Sequence, residues 1–107
     1  MIWYKHLYVG DLVKGRKDRI IERIESDRTQ TGQYLITISE NPAEMLDIFS
    51  TVFLTEKRKE RLPMVVGLAG TRDEAIFLVR KMTEDCLRAT GDVDLRTYFQ
   101  EEEKRLP

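Results

Sequence analysis

Cysteine is all but missing from this chain, and its single thiol, Cys86, cannot close an intramolecular disulfide. That excludes a disulfide-stapled scaffold and makes a reducing cytoplasm the expected setting. Histidine is as scarce: His6 stands alone, so no histidine-based metal cluster can be assembled and no cofactor is expected. No apolar run approaches the ~18 residues of a membrane-spanning helix. Lys5 and His6 interrupt the first apolar stretch, which therefore lacks the hydrophobic segment of a signal peptide. Neither sign of charge prevails, since 18 basic and 19 acidic residues leave a formal net charge of −1. A general polyanion binder loses its support on that ground, although a local basic patch stays open. Internal repeats and low-complexity linkers are absent too.

What is present is a domain of 107 residues, 35% of them charged, long enough for one modest core. Its clearest stretch runs from Pro63 to Gly91. Met64, Val65 and Val66 form a short apolar run between Pro63 and Gly67, suited to a strand covered on both faces. Gly70 lets the chain turn, and Thr71 with Glu74 three residues on forms a capping box for a helix over Thr71–Thr90. Asp73 and Glu74 complement the positive end of its dipole, and Gly91 suits the position after its last turn. At about 100° per residue, Ala75, Leu78, Val79, Met82, Cys86 and Ala89 share a core stripe flanked by Ile76 and Leu87. Arg80, Lys81, Glu84 and Arg88 lie opposite, with Glu84 and Arg88 spaced as an i,i+4 pair. Phe77 falls on that polar side.

The remaining segments read in order. Ile2–Val9 is a strand with Trp3, Lys5, Leu7 and Val9 on one face and Ile2, Tyr4, His6 and Tyr8 on the other. Leu12 to about Ser26 is helical, facing Val13, Lys17, Ile20, Ile21 and Ile24 inward, with a start that Gly15 can push later. Thr31-Gly32 is a turn, and Gln33–Ser39 alternates as a half-buried strand. After a tight turn at Asn41–Glu44, Met45–Phe49 is a strand, and Ser50 caps a short helix carrying Val52, Phe53 and Leu54. Glu56–Arg61 is the solvated end of that helix or a loop. The competing reading makes Pro42 to about Lys59 one helix. Val93, Leu95, Tyr98 and Phe99 dock the segment after Gly91, so the domain spans residues 1–99, and residues 100–107 form a loose polar tail with nothing to bury.

The opening IWYKHLYVG, the central LDIF, the VVGLAG step into a turn and then EA, and the closing TGDVDL resemble a family of short bacterial proteins of unknown function. The resemblance covers most of the chain and implies an extended conformation over Leu46–Phe49. It implies no activity, cofactor or catalytic residue.

Candidate sites follow from residue type and spacing. Gly67, Gly70, Thr71 and Arg72, between a strand and a helix, have the layout in which backbone N–H groups hold a phosphate or nucleotide. The motif lacks the Gly-Lys-Ser/Thr ending of a P-loop and the full spacing of a dinucleotide site. The plain alternative is a capped helix after a close-packed turn. Lys14, Arg16, Lys17, Arg19, Arg23 and Arg28 crowd the first helix and its exit, interleaved with Asp18, Glu22 and Glu25. Together with Tyr4, His6 and Tyr8 as a stacking face, they suggest a nucleic-acid contact, or merely half-exposed aromatics beside a charged helix. His6 and Cys86 would make a nucleophilic pair if they met in space, but a mid-helix thiol on an apolar stripe is ordinarily core. Asp47, flanked by Leu46 and Ile48, either points to solvent or is a functionally placed acid. Phe77 with Arg80, Lys81 and Glu84 forms an outward face suited to a second subunit or another protein.

The sequence thus specifies a two-layer α+β sandwich: a roughly four-stranded sheet (Ile2–Val9, Gln33–Ser39, Met45–Phe49, Met64–Ala69) covered by two main helices in the order β-α-β-β-(α)-β-α. The expected function is a small cytoplasmic, non-catalytic interaction module that self-associates. A binder of a small anionic ligand at Gly67–Thr71 and a nucleic-acid accessory protein are the alternatives. An enzyme has least support, because no nucleophile, base and orienting group can be assembled.

Overall fold

The computed structural model describes residues 1–26 and 32–105. Its strands are β1 (Trp3–Val9), β2 (Tyr34–Ile38), β3 (Leu46–Ser50) and β4 (Val65–Ala69); its helices are α1 (Lys17–Glu25), α2 (Glu56–Arg61), α3 (Arg72–Thr90) and α4 (Leu95–Arg105). The strands form one mixed sheet in the order β1-β4-β2-β3, packed against the helices as an α+β sandwich. β1 runs parallel to β4, whereas β4–β2 and β2–β3 are antiparallel. β1 and β2 are therefore antiparallel with β4 between them, so the opening β-α-β segment is not a parallel crossover.

The two sheet faces carry separate apolar clusters. On one, Ala75, Leu78, Met82 and Cys86 of α3 and Leu95 and Phe99 of α4 pack on Tyr4, Ile36, Ile38, Val66 and Ala69. On the other, Val13, Ile20 and Ile24 cover Leu35, Phe49, Val65 and Leu68. With both faces covered, β2 is buried from Leu35 to Ile38 instead of half-buried, since it lies between two other strands. The β2–β4 register slips between Ile36 and Thr37. At this bulge a Cβ on Gly67 would lie 2.7 Å from Ile36 Cδ1 and 2.9 Å from Met82 Cε, which is why the site takes glycine.

Local chemistry accounts for the element ends. Ser50 Oγ accepts from Val52 N, and a 3₁₀ turn follows over Thr51–Phe53. Asn41 Oδ1 accepts from Ala43 N in the tight turn before β3, which rules out the single helix over 42–59. Gly91, at φ 77°, ends α3.

Several expectations need correction. The first helix begins as a 3₁₀ turn at Lys14–Arg16, and α1 proper starts only at Lys17, with no side-chain cap and Gly15 in the preceding turn. Glu56–Arg61 is a separate helix. Thr55 Oγ1 caps it at 3.1 Å, Arg58 lies over the Phe49 ring at 3.9 Å, and Lys59 Nζ donates to Ile24 O at 2.5 Å. Residues 100–105 continue α4 and are not a loose tail, while residues 106 and 107 fall outside the described residues. Arg28 and Thr31 also lie outside them, although Gly32 takes a positive φ of 79°. Ala89 is exposed near the C-terminal end of α3, and Ile76 and Leu87 are exposed as well. Arg88 bonds Asp85 at 3.3 Å, the i,i+3 partner, instead of Glu84. Among the described residues, no helix is long and apolar enough to cross a membrane.

Candidate functional site

The turn before α3 holds a carboxylate of its own. Thr71 Oγ1 accepts from Glu74 N at 3.1 Å, as a capping box requires. The Glu74 side chain does not return to Thr71 but bridges two other amides: Oε1 accepts from Gly70 N at 2.8 Å and Oε2 from Leu12 N at 3.0 Å. An incoming anion would have to displace that carboxylate to reach Gly70 N. Gly67 lies inside β4, and Arg72 opens the helix, exposed. The four residues of the proposed anion site therefore do not converge on open space.

The aromatic face of β1 is roofed by α4. Phe99, fully buried, meets the Tyr4 ring at 5.0 Å and the Tyr8 ring at 6.2 Å between centroids. Tyr8 O–H donates to Asp85 Oδ2 at 2.5 Å. Burial, followed by the negative charge around Tyr98, Glu102, Glu103 and Asp85, pushes the Tyr4 hydroxyl up to about 12. Burial and the Asp85 hydrogen bond raise Tyr8 too, and burial with Glu102 raises Tyr98. Both Tyr4 and Tyr8 are thus spent on packing and are not free to stack on bases.

The basic residues distribute differently from their order in the chain. Lys14, Lys17 and Lys81 meet along the outer edge of β1, where they line a groove of about 440 Å³ with His6, Leu7, Tyr8, Val9 and Leu78. Lys17 also lies 3.8 Å from Asp18 Oδ1, and Arg16 donates a long 3.4 Å bond to Leu12 O. Arg19 is exposed and is not part of the groove lining. Sequence spacing could not have joined Lys81 to this group, since only the sheet order brings α3 over the β1 edge.

His6 and Asp47 lie on different edges of the sheet. β1 and β3 form opposite edges of the sheet, so His6 and Asp47 are three strand spacings apart, roughly 14 Å. Asp47 is half-buried opposite Thr37, whose buried hydroxyl has no hydrogen-bond partner. Cys86 is fully buried and its Sγ donates to Asp92 O at 3.3 Å. Among the described residues, no group of three or more His, Cys, Asp or Glu side chains is placed to hold a metal ion.

The outer face of α3 is one of the exposed apolar surfaces, alongside Val52 and Phe53 of the 3₁₀ turn after β3. Phe77 is 61% exposed, and Arg80, Lys81 and Glu84 beside it are exposed as well. Ile76 and Leu87 add two further large apolar side chains, at 51% and 52% exposure. Sequence reading assigned both to the flank of the core stripe. Each lies about 100° or more from the stripe's centre at Ala75, an angle that already pointed outward. Comparison with protein-family models, curated proteins and solved structures finds no match.

Proposed function

We propose that this chain is a small cytoplasmic, non-catalytic interaction module that self-associates through the outer face of α3. One observation carries the reading: Phe77 stands 61% exposed on a 19-residue helix whose opposite face buries Ala75, Leu78, Met82 and Cys86. Burying such a ring contributes about 1.5–3 kcal/mol, which the monomer forgoes. Ile76 and Leu87 enlarge the same apolar surface. The test is molar mass in solution by light scattering. Wild type should be a dimer at high protein concentration and Phe77→Asp a folded monomer; a wild-type monomer throughout the range sinks the proposal.

A second reading is favoured by the groove that gathers Lys14, Lys17 and Lys81: an anionic partner, nucleic acid included, held along the β1 edge. Its affinity would fall steeply with added salt. Single-stranded oligonucleotide titrations at low and physiological salt, on wild type and on Lys14→Glu/Lys81→Glu, decide it. Binding that ignores the two lysines would remove this reading.

A further inference from the structure

The exposed face of α3 carries a pattern that goes beyond exposure. Asp73, Phe77, Arg80, Glu84 and Leu87 are all exposed, at successive spacings of four, three, four and three residues. At about 100° per residue these positions stay within a narrow outward stripe, the spacing by which one helix meets another. The stripe is also symmetric along the helix. Phe77 and Leu87 lie equally far from Met82 on either side, as do Arg80 and Glu84.

We infer that a second copy of this chain packs its α3 antiparallel against the first, about a two-fold axis at the level of Met82, an inference that rests on the self-association reading above. In that arrangement Phe77 packs against Leu87 of the partner subunit, and Arg80 meets Glu84 of the partner subunit. Both contacts occur twice, as a two-fold interface demands. Charge selects this orientation over its reverse. Parallel helices would set Arg80 against Arg80 of the partner subunit and Glu84 against Glu84 of the partner subunit, two like-charge contacts that antiparallel packing turns into two attractive ones. Antiparallel helices also bring opposite dipole ends together. A polar pair at the centre of an apolar seam fixes register and orientation more than it adds strength. A single helix pair is small against the about 1,600 Å² of a standard interface, so association is reversible and is measured at high micromolar protein.

The experiment uses two charge variants of the full chain, Arg80→Glu and Glu84→Arg, each checked for a native melt. Alone, each places like charges at both central contacts and should be monomeric where wild type is dimeric. Mixed in equal amounts, they restore opposite charges at both contacts, so a heterodimer should appear with at least tenfold tighter association than either variant alone. Leu87→Asp, which leaves the charges intact, should abolish the dimer as Phe77→Asp does. If wild type is monomeric, the self-association reading falls and this pairing with it. A dimeric wild type whose two variants dimerise unchanged, with no gain on mixing, overturns the pairing and leaves self-association standing. Should either charge variant fail to fold, Leu87→Asp decides alone: a dimer as tight as wild type rejects the seam.

Discussion

At the scale of single residues, Glu74 shows how one side chain settles two questions. Its carboxylate joins the start of α3 to the chain after β1 through Gly70 N and Leu12 N. It lies so close to Gly10 that a Cβ there would fall 2.0 Å from Oε1. Gly10→Ala must therefore push the carboxylate off its amides, and the two residues act as one unit. Each of Gly10→Ala and Glu74→Ala should cost about 1–3 kcal/mol, since two charge-assisted hydrogen bonds are lost, the one from Gly70 N part-buried. The double variant should cost little more than either alone, in the manner of coupled neighbours. Urea denaturation of the four proteins checks this, and full additivity would mean that the clamp does not exist. Thr71→Ala, which removes only the cap bond to Glu74 N, should cost about 1 kcal/mol. The cap was legible in the sequence because it is local, four residues of chain. The reach of Glu74 to Leu12, 62 residues away, was not, because nothing in spacing reports which loop lies beside a helix start.

At the scale of elements, α4 is the piece that sequence reading underrated. Glu101–Arg105 has no apolar face, so a judgement from burial leaves it loose. Glu, Lys and Arg are nonetheless good helix formers, and Phe99 and Leu95 anchor the preceding turns in the core. Arg96 adds a tie invisible to pattern: its Nη2 donates to Ser39 O, Asn41 O and Glu44 O at 3.1, 3.1 and 2.6 Å, fastening the β2–β3 turn to α4. Phe99→Ala should lower stability by about 3–5 kcal/mol, as aromatic truncations in cores do. The same seat makes stability pH-dependent. Tyr4, raised to about 12 from 10.0, holds its proton in the folded protein after the unfolded chain has released it. Stability from this group is thus fully present below about pH 10 and falls as pH rises toward 12. Tyr8 contributes with the same sign. Denaturation midpoints should drop between about pH 10 and about pH 12, and less steeply in Tyr4→Phe; equal slopes would show that Tyr4 titrates normally. The strands, by contrast, were legible to within a residue, since alternation and branched side chains write them locally. The sheet order was not, because it depends on which faces pair at a distance.

For the molecule as a whole, the outward position of Phe77 was legible from helical angle alone, because a long regular helix fixes every direction along it. The grouping of Lys81 with Lys14 and Lys17 was not, since it depends on β1 lying at the edge beneath α3. These two surfaces make different demands on the folded state. An apolar seam on α3 binds only a native partner, so self-association draws the equilibrium toward the folded protein by mass action. The thermal midpoint of wild type should therefore rise with protein concentration. At a tenfold excess over the dissociation constant the gain is about 1.4 kcal/mol, which for a domain of this size moves the midpoint by roughly five degrees or more. Phe77→Asp removes the seam without touching the core, because its ring makes no part of either buried cluster. Its midpoint should match dilute wild type and stay flat across the same range. The lysine groove predicts no such dependence, since like charges on both copies hold them apart. Scanning calorimetry over two decades of concentration separates the cases: a flat wild-type midpoint excludes the α3 seam, and a rising midpoint in Phe77→Asp as well assigns association to another surface.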